Sequence, residues 1–318
     1  MSLIDIYHSS ESARADIPIL TLGDRIYDLS TRALVVGILN RTPDSFYDAG
    51  ETYELNALVD KAGVLVSEGA DVLEVGGVKA GIGDYVSVEE ELDRVAPAVE
   101  ELKKRFDIPI AVDTWRTKVV EEALKVGAVM ANDISGFQDT GYLEAVSRAK
   151  GTVVATHIRL KPRVYDPEPV YDDVVKTVKQ YLEVKVADAL RAGISPDRII
   201  IDPGLDLGKS TEHSISLLGA SPLFAQMGYP LFLAASNKDF LGEFLGLGID
   251  ERGDATCSAL SVGIILGCRV LRVHDVRSAC MVRNTLERLV EPLSTTSVQA
   301  MSTTRSHGRG IRGVKIDE

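Results

Sequence analysis

Five apolar runs in this chain lead into polar groups that could do chemistry together. The run 33–39 leads into Asn40, 108–112 into Asp113, 128–131 into Asn132 and 199–201 into Asp202; the run 270–273 carries Arg272 and ends at His274 and Asp275. Gathered in one place, Asp113, Asn132 and Asp202 make an acceptor-rich set, suited to a flat ring that carries several N–H donors. Lys238 and Arg272 add complementary donors, and a guanidinium can also lie over an aromatic face. Asn40 has two chemistries open to it, Mg²⁺ ligation through its carbonyl oxygen or phosphate binding through its amide. Each residue also has a plainer reading. Thr42-Pro43-Asp44-Ser45 is good turn chemistry, and Asp113-Thr114 precedes a helical pattern that an Asp could simply cap. The coincidence of the set, rather than any one member, argues for a site.

Such residues meet only if the runs that carry them lie side by side. Short β-rich runs separated by helix-length segments read as parallel strands in β–α units. Strands are expected at 33–39, 71–75, 108–112, 128–131, 152–156, 198–201, 231–235 and 269–273. Helical patterns fall at 54–68, 87–105, 116–126, 140–149, 170–192, 213–227, 238–246 and 254–267, the last capped by Asp254, and a helix at 276–290 closes the ring. This is the pattern of an α/β protein, a TIM (β/α)8 barrel, whose active site forms at the C-terminal ends of the strands. Residues 17–20 and 25–29, joined around Gly23-Asp24, read as an N-terminal hairpin that plugs the barrel bottom. The expected organisation is a loose segment 1–16, one barrel domain 17–292, and a Ser/Thr/Gly-rich tail 293–318 that its composition marks as disordered.

Composition removes other classes. The 318 residues carry a net charge of −12, which disfavours nucleic acid as a partner while allowing a small anion held by local cations. Cys257, Cys268 and Cys280 have no CxxC spacing and read as buried thiols of a reducing compartment. No signal peptide is evident, and the longest apolar stretch is too short for a bilayer, so a cytoplasmic protein without membrane attachment is expected. The segment Pro203-Gly204-Leu205-Asp206-Leu207-Gly208-Lys209-Ser210 approaches a phosphate loop but is one residue short, with Pro203 where the first Gly belongs. Gly76-Gly77 and Gly81-x-Gly83 indicate only a flexible rim loop. His157 and His274 stand at strand ends and the other histidines read as surface; no HExxH or Cys/His cluster suggests zinc.

In order along the chain, Gly37-Ile38-Leu39-Asn40, Thr42-Pro43-Asp44-Ser45-Phe46, Asp113-Thr114, Asn132-Asp133-Ile134, Ile201-Asp202-Pro203-Gly204, Ser236-x-Lys238 and Arg272-Val273-His274-Asp275-Val276 resemble the motifs of the dihydropteroate synthase family, from about residue 33 to 290. That family is a TIM barrel that condenses hydroxymethyl-dihydropterin pyrophosphate with p-aminobenzoate, using Mg²⁺, on the route to folate. The resemblance implies that Asp202 accepts the pterin's paired N–H groups, Asn132 and Asp113 bind other ring edges, Lys238 reaches the carbonyl side and Arg272 lies over the ring. It implies that Asn40, Arg272 and His274 hold the pyrophosphate, with Asn40 at its metal, and that Asp113 is the catalytic carboxylate, stabilising a cation that develops at the pterin methylene. A homodimer is implied as well.

The departures cluster on one side. After Gly76-Gly77 the family has Glu-Ser-Thr-Arg-Pro-Gly, and here the chain reads Val78-Lys79-Ala80-Gly81-Ile82-Gly83. The family's Ser-Arg-Lys-Ser becomes Ser236-Asn237-Lys238-Asp239, its Met-His-Met becomes Thr156-His157-Ile158, and the aromatic of its Asp-Pro-Gly loop falls on Leu207, with Asp206 beside it. The pterin residues survive, while those for p-aminobenzoate and pyrophosphate are depleted. Each lost charged partner costs about 1.5–3 kcal/mol. The expectation is a divergent second paralogue that binds pterins, takes p-aminobenzoate weakly or not at all, and condenses the two poorly or not at all. An active synthase and a non-catalytic pterin-binding or interaction protein are the alternatives.

Overall fold

The computed structural model describes residues 19–42 and 53–290. The segment 1–16, the turn at 43–46 and the tail 293–318 lie outside the described residues. Strands β1 (Ile19–Leu22) and β2 (Arg25–Asp28) form an antiparallel hairpin, turned at Gly23 with φ +60°. Eight parallel strands follow in chain order: β3 (Leu34–Asn40), β4 (Val72–Gly76), β5 (Ile110–Asp113), β6 (Met130–Asp133), β7 (Thr152–Thr156), β8 (Ile199–Asp202), β9 (Leu231–Leu233) and β10 (Cys268–Val273), with β10 paired back onto β3 to close the barrel. Around it lie α1 (Leu55–Ser67), α2 (Val88–Arg105), α3 (Thr117–Lys125), α4 (Tyr142–Arg148), α5 (Val174–Arg191), α6 (Thr211–Gly219), α7 (Ser221–Ala225), α8 (Asp239–Leu245), α9 (Gly253–Ile265) and α10 (Val276–Val290).

The period-2 geometry of the strands sorts their side chains into two cores. Val36, Val72, Ala111, Met130, Val154, Ile200, Phe232 and Val270 fill the barrel interior, closed from below by Leu20 and Leu22 of the hairpin and by Leu29. Their neighbours one residue along, such as Val35, Leu73, Val112, Val153, Ile201 and Leu271, pack outward under the helices. The hairpin is tied in place by Thr152 Oγ1, which donates to the Thr21 carbonyl at 2.5 Å, and by Arg198 Nη2, which donates to the Gly23 carbonyl at 2.9 Å. Continuing the inward alternation two residues towards the strand ends reaches Glu74, Asp113, Asn132, Thr156, Asp202 and Arg272. The apolar interior therefore gives way to a polar ring at the C-terminal mouth.

All eight strands fall within two residues of expectation, and the hairpin sits two residues later than expected in its first strand. Other readings need correction. The helical pattern 213–227 is two helices, because Pro222 cannot continue the first and instead sits in the first turn of the second. Asp254 does not cap α9; it lies inside the first turn, which begins at Gly253 after a 3₁₀ turn. Cys257 is only half-buried, unlike Cys268 and Cys280, and all three are free thiols. His213 is a capping residue rather than a surface one, its Nδ1 accepting from Ser210 N at 3.2 Å. Among the described residues no helix is long and apolar enough to cross a membrane.

Candidate functional site

Strand register brings the expected residues together. Asn40 on β3 is level with Gly76 on β4, Gly76 with Asp113 on β5, and Asp113 with Asn132 on β6. Gly76 contributes no side chain, and both Asn40 Oδ1 and Asp113 Oδ2 lie within 4 Å of where its Cβ would stand. Across the barrel, Asp202 on β8 is level with Thr156 on β7. Arg272 reaches from β10 to donate from Nη2 to Asp113 Oδ2 at 2.8 Å. It also donates from Nε to Glu74 Oε1 at 2.5 Å. The other oxygen of Glu74 accepts from Asn132 Nδ2 at 3.0 Å. Asp113 is therefore an ion-pair partner, and it does not cap α3, which begins after Arg116.

Glu74 was not singled out by the sequence reading, although it is the hub of this network. The signal was available: a single acid inside the apolar run Val72-Leu73-Glu74-Val75, where burial demands a partner. Its side chain is fully buried, against 12% exposure for that of Asp113 and 19% for that of Arg272. An ionised carboxylate only accepts, so Asn132 must turn its NH₂ towards Glu74 and its carbonyl oxygen away. That Asn132 Oδ1 is buried and has no donor opposite it among the described residues.

Asp202 keeps one oxygen at home, with Oδ1 accepting from Gly204 N at 2.7 Å. Burial raises its carboxyl pKa against the pull of Lys238, and burial likewise lowers that of the Lys238 ammonium against Asp206 and Asp202. Lys238 donates to the Leu205 carbonyl, which holds it over the loop after β8. Asp113 is pushed up to about 7 by burial, opposed by the Arg272 guanidinium and reinforced by Glu74, Glu91 and Asp133. His274 follows β10 and shares Ser236 Oγ with the rim, at 3.0 Å from its Nδ1.

Three residues of the rejected phosphate loop have structural work. Lys209 is buried and donates to His157 Nδ1 at 2.8 Å, Leu207 O at 3.0 Å and His157 O at 3.2 Å, pinning the loop after β8 to the end of β7. Gly204, at φ +68°, passes so close that a Cβ would stand 2.0 Å from the His157 carbonyl oxygen. Asp206 faces α6 and α8, accepting from Ser214 Oγ at 3.0 Å and Phe240 N at 3.3 Å. Asp239 is paired with Arg252 at 2.8 Å, so its new charge is answered within the rim. The loop after β4 is joined to the loop after β7 by Arg163, whose N–H donates to Ala80 O at 3.2 Å and whose Nη2 donates to Asp84 O at 2.5 Å.

Fold and mouth together define a TIM-barrel protein with a charged, acceptor-lined pocket at the strand ends. The chain belongs to the pterin binding enzyme family, whose model matches residues 36–274, and within it to the dihydropteroate synthases. It is 36% identical over 254 residues to the dihydropteroate synthase of Escherichia coli (strain K12), covering 80% of this chain and 90% of that one. It is 38% identical over 293 residues to the inactive dihydropteroate synthase 2 of Mycobacterium leprae, covering 89% and 95%. The Yersinia pestis dihydropteroate synthase, solved in complex with a sulfonamide drug, superposes with a TM-score of 0.82 at 32% identity, over 86% of this chain and 99% of that one.

Proposed function

We propose that this chain binds a reduced pterin in the barrel mouth and condenses 6-hydroxymethyl-7,8-dihydropterin pyrophosphate with p-aminobenzoate weakly or not at all. The observation that carries the ligand assignment is the buried Asn132 Oδ1, left without a donor, level with Asp113 on the neighbouring strand and in the same polar ring as Asp202. A pterin edge presents the N–H groups that such acceptors need, and a carboxylate facing two parallel donors makes charge-assisted bonds. Arg272, held edge-on by Glu74 and Asp113, keeps its flat face for the ring.

In the family reaction pyrophosphate leaves the pterin methylene carbon and the arylamine nitrogen forms the new C–N bond. Asp113 would stabilise the cation that develops at the methylene, and Asn40, Arg272 and His274 would meet the departing anion. The described residues hold no group of three or more His, Cys, Asp or Glu side chains that could cage a metal. Mg²⁺ would arrive with the pyrophosphate, since this ion keeps several waters and takes one or two protein oxygens. Asn40 Oδ1, beside Asp113, would hold it, and the ion would neutralise leaving-group charge.

The weak or absent condensation rests on Gly81, Asn237 and Leu207, which offer neither cation nor aromatic face where the resembled motifs have them, and on Ala80, which lacks the hydroxyl of the motif's Thr. One observation favours an active synthase instead: Arg252 neutralises Asp239, so the rim repels an anionic substrate less than the sequence suggests. Condensation assays on the purified chain decide between the two, with turnover near that of a working synthase overturning the proposal. Calorimetry with 6-hydroxymethyl-7,8-dihydropterin tests the binding half. Asp202→Asn, which keeps an acceptor for Gly204 N, should abolish pterin binding with little change in melting temperature, and unaltered affinity refutes the assignment. Binding without chemistry, together with a co-purifying protein, would favour the non-catalytic alternative. The proposal also includes a cytoplasmic homodimer, supported by exposed Val262 on α9 and Met281 on α10; a monomer in sedimentation rejects the dimer.

A further inference from the structure

An open cleft of about 720 Å³ lies where the loops after β5, β6 and β7 meet the start of α2, and none of the polar-ring residues of the mouth lines it. Small-molecule sites span about 300–1,000 Å³, so the space is adequate for a compact ligand. Its walls are fixed by hydrogen bonds. Thr117 N donates to Asp139 Oδ2 at 2.7 Å, and Gln138 Nε2 donates to the Leu160 carbonyl at 3.1 Å. The Arg116 guanidinium is occupied by the Val86 and Ser87 carbonyls and by buried Glu91.

The chemistry of the lining is specific. Trp115, the only tryptophan of the chain, is half-buried there, with Arg116 at 5.7 Å from its ring centroid. Lys118 and Lys161 stand exposed in the same cleft. Neither forms an ion pair among the described residues, because Glu91 answers Arg116 and the one lining carboxylate, Asp139, is bonded to the start of α3. An aromatic surface beside two ammonium groups, with Asp139 the one carboxylate set against them in the lining, suits a flat anion. We propose that this cleft is a second ligand site, separate from the mouth, for a small aromatic carboxylate whose ring lies on Trp115 and whose carboxylate is met by Lys118 and Lys161. Each exposed lysine contributes about threefold to such binding and the pair about tenfold, an effect that salt screens.

The single tryptophan makes the test direct. Benzoate added to the full chain at low ionic strength should quench Trp115 fluorescence saturably in the millimolar range or below, and the neutral isostere benzamide should bind several-fold more weakly. The double variant Lys118→Gln/Lys161→Gln should lose about tenfold in benzoate affinity while retaining the wild-type circular dichroism. Lys238→Met, which alters the mouth, should leave the quench intact. Non-saturable quenching, equal binding of benzamide, an unchanged double variant, or loss of the quench in Lys238→Met would each overturn the proposal. None of these outcomes depends on pterin binding, so the second site can fail while the mouth assignment stands.

Discussion

Glu74 and Arg272, 198 residues apart in the chain, meet inside the barrel with Glu74 Oε1 at 2.5 Å from Arg272 Nε. The pair sets two orientations at once. It fixes the plane of the guanidinium, and through its second oxygen it fixes which end of the Asn132 amide faces away. Replacing Glu74 by Ala leaves Arg272 with Asp113 alone and should destabilise the fold by about 3–5 kcal/mol, as breaking a buried ion pair does; urea unfolding measures it. Glu74→Gln is the sharper probe. A Gln amide can donate to Asn132, which lets the Asn132 amide flip and turn its NH₂ outward. Pterin affinity in calorimetry should then fall about tenfold, the value of one lost hydrogen bond with a donor facing a donor. Affinity unchanged in a folded Glu74→Gln protein would remove Glu74 from the recognition network.

Asp113 gives the site a pH dependence with a definite sign. Its folded pKa is about 7, above the ordinary 3.8, because burial and the carboxylates of Glu74, Glu91 and Asp133 outweigh Arg272. Between those values the folded chain binds the proton that the unfolded chain has released. The contribution to stability is thus full below about 3.8 and is lost as pH rises through 7. Ligand binding runs the other way, since the ionised carboxylate is the acceptor, and pterin affinity should strengthen from pH 6 to 8. Asp113→Asn should flatten both profiles, which thermal melts and calorimetry across that range would record.

The architecture was legible because strands and helices write their periods into the sequence, and Asn40, Asp113, Asn132 and Asp202 each close an apolar run. Glu74 escaped because it sits in mid-strand, where a sequence shows a charge but not the partner that makes it tolerable. Asp206 and Asp239 stand among the departures from the resembled motifs on the p-aminobenzoate and pyrophosphate side. Their orientations depend on Ser214, Phe240 and Arg252, residues brought near only by the folding of α6, α8 and α9. Long-range pairing of this kind has no local signature. The split of α6 from α7 did have one, in Pro222, which a run of helical periodicity concealed.

His157 carries the opposite pH signature from Asp113. Burial, with the Lys209 ammonium beside it, lowers its pKa to about 3. The unfolded chain therefore takes up the proton first as pH falls below about 6.5. Stability is fully present above that value and is lost progressively down to pH 3. His157→Gln, whose side-chain oxygen can still accept from Lys209, should lose this acid sensitivity; equilibrium unfolding at pH 7 and pH 5 supplies the comparison. An equal loss of stability in both proteins over that interval would show that His157 is protonated in the fold.

Arg163 joins loops that arise three strands apart, after β4 and after β7, and so draws the rebuilt loop 77–87 across the β5–β6 side of the mouth. It does so from a left-handed backbone conformation, φ +65°, which costs a non-glycine residue about 1 kcal/mol. Arg163→Ala keeps that backbone cost and the N–H bond to Ala80 but removes the side-chain bond to Asp84. The loss of one exposed bond should change overall stability by less than about 1 kcal/mol. Its local effect is larger, because the loop exposes Ile82 and Tyr85 between ends that Arg94 and Arg116 hold. Limited proteolysis should therefore cut Arg163→Ala within 77–87 several times faster than the wild type at equal melting temperature. Pterin association in stopped flow should also quicken if the strap narrows the entrance. Equal cleavage rates would mean that Arg94, which bonds the Gly77 carbonyl at 2.8 Å, anchors the loop sufficiently from its other end.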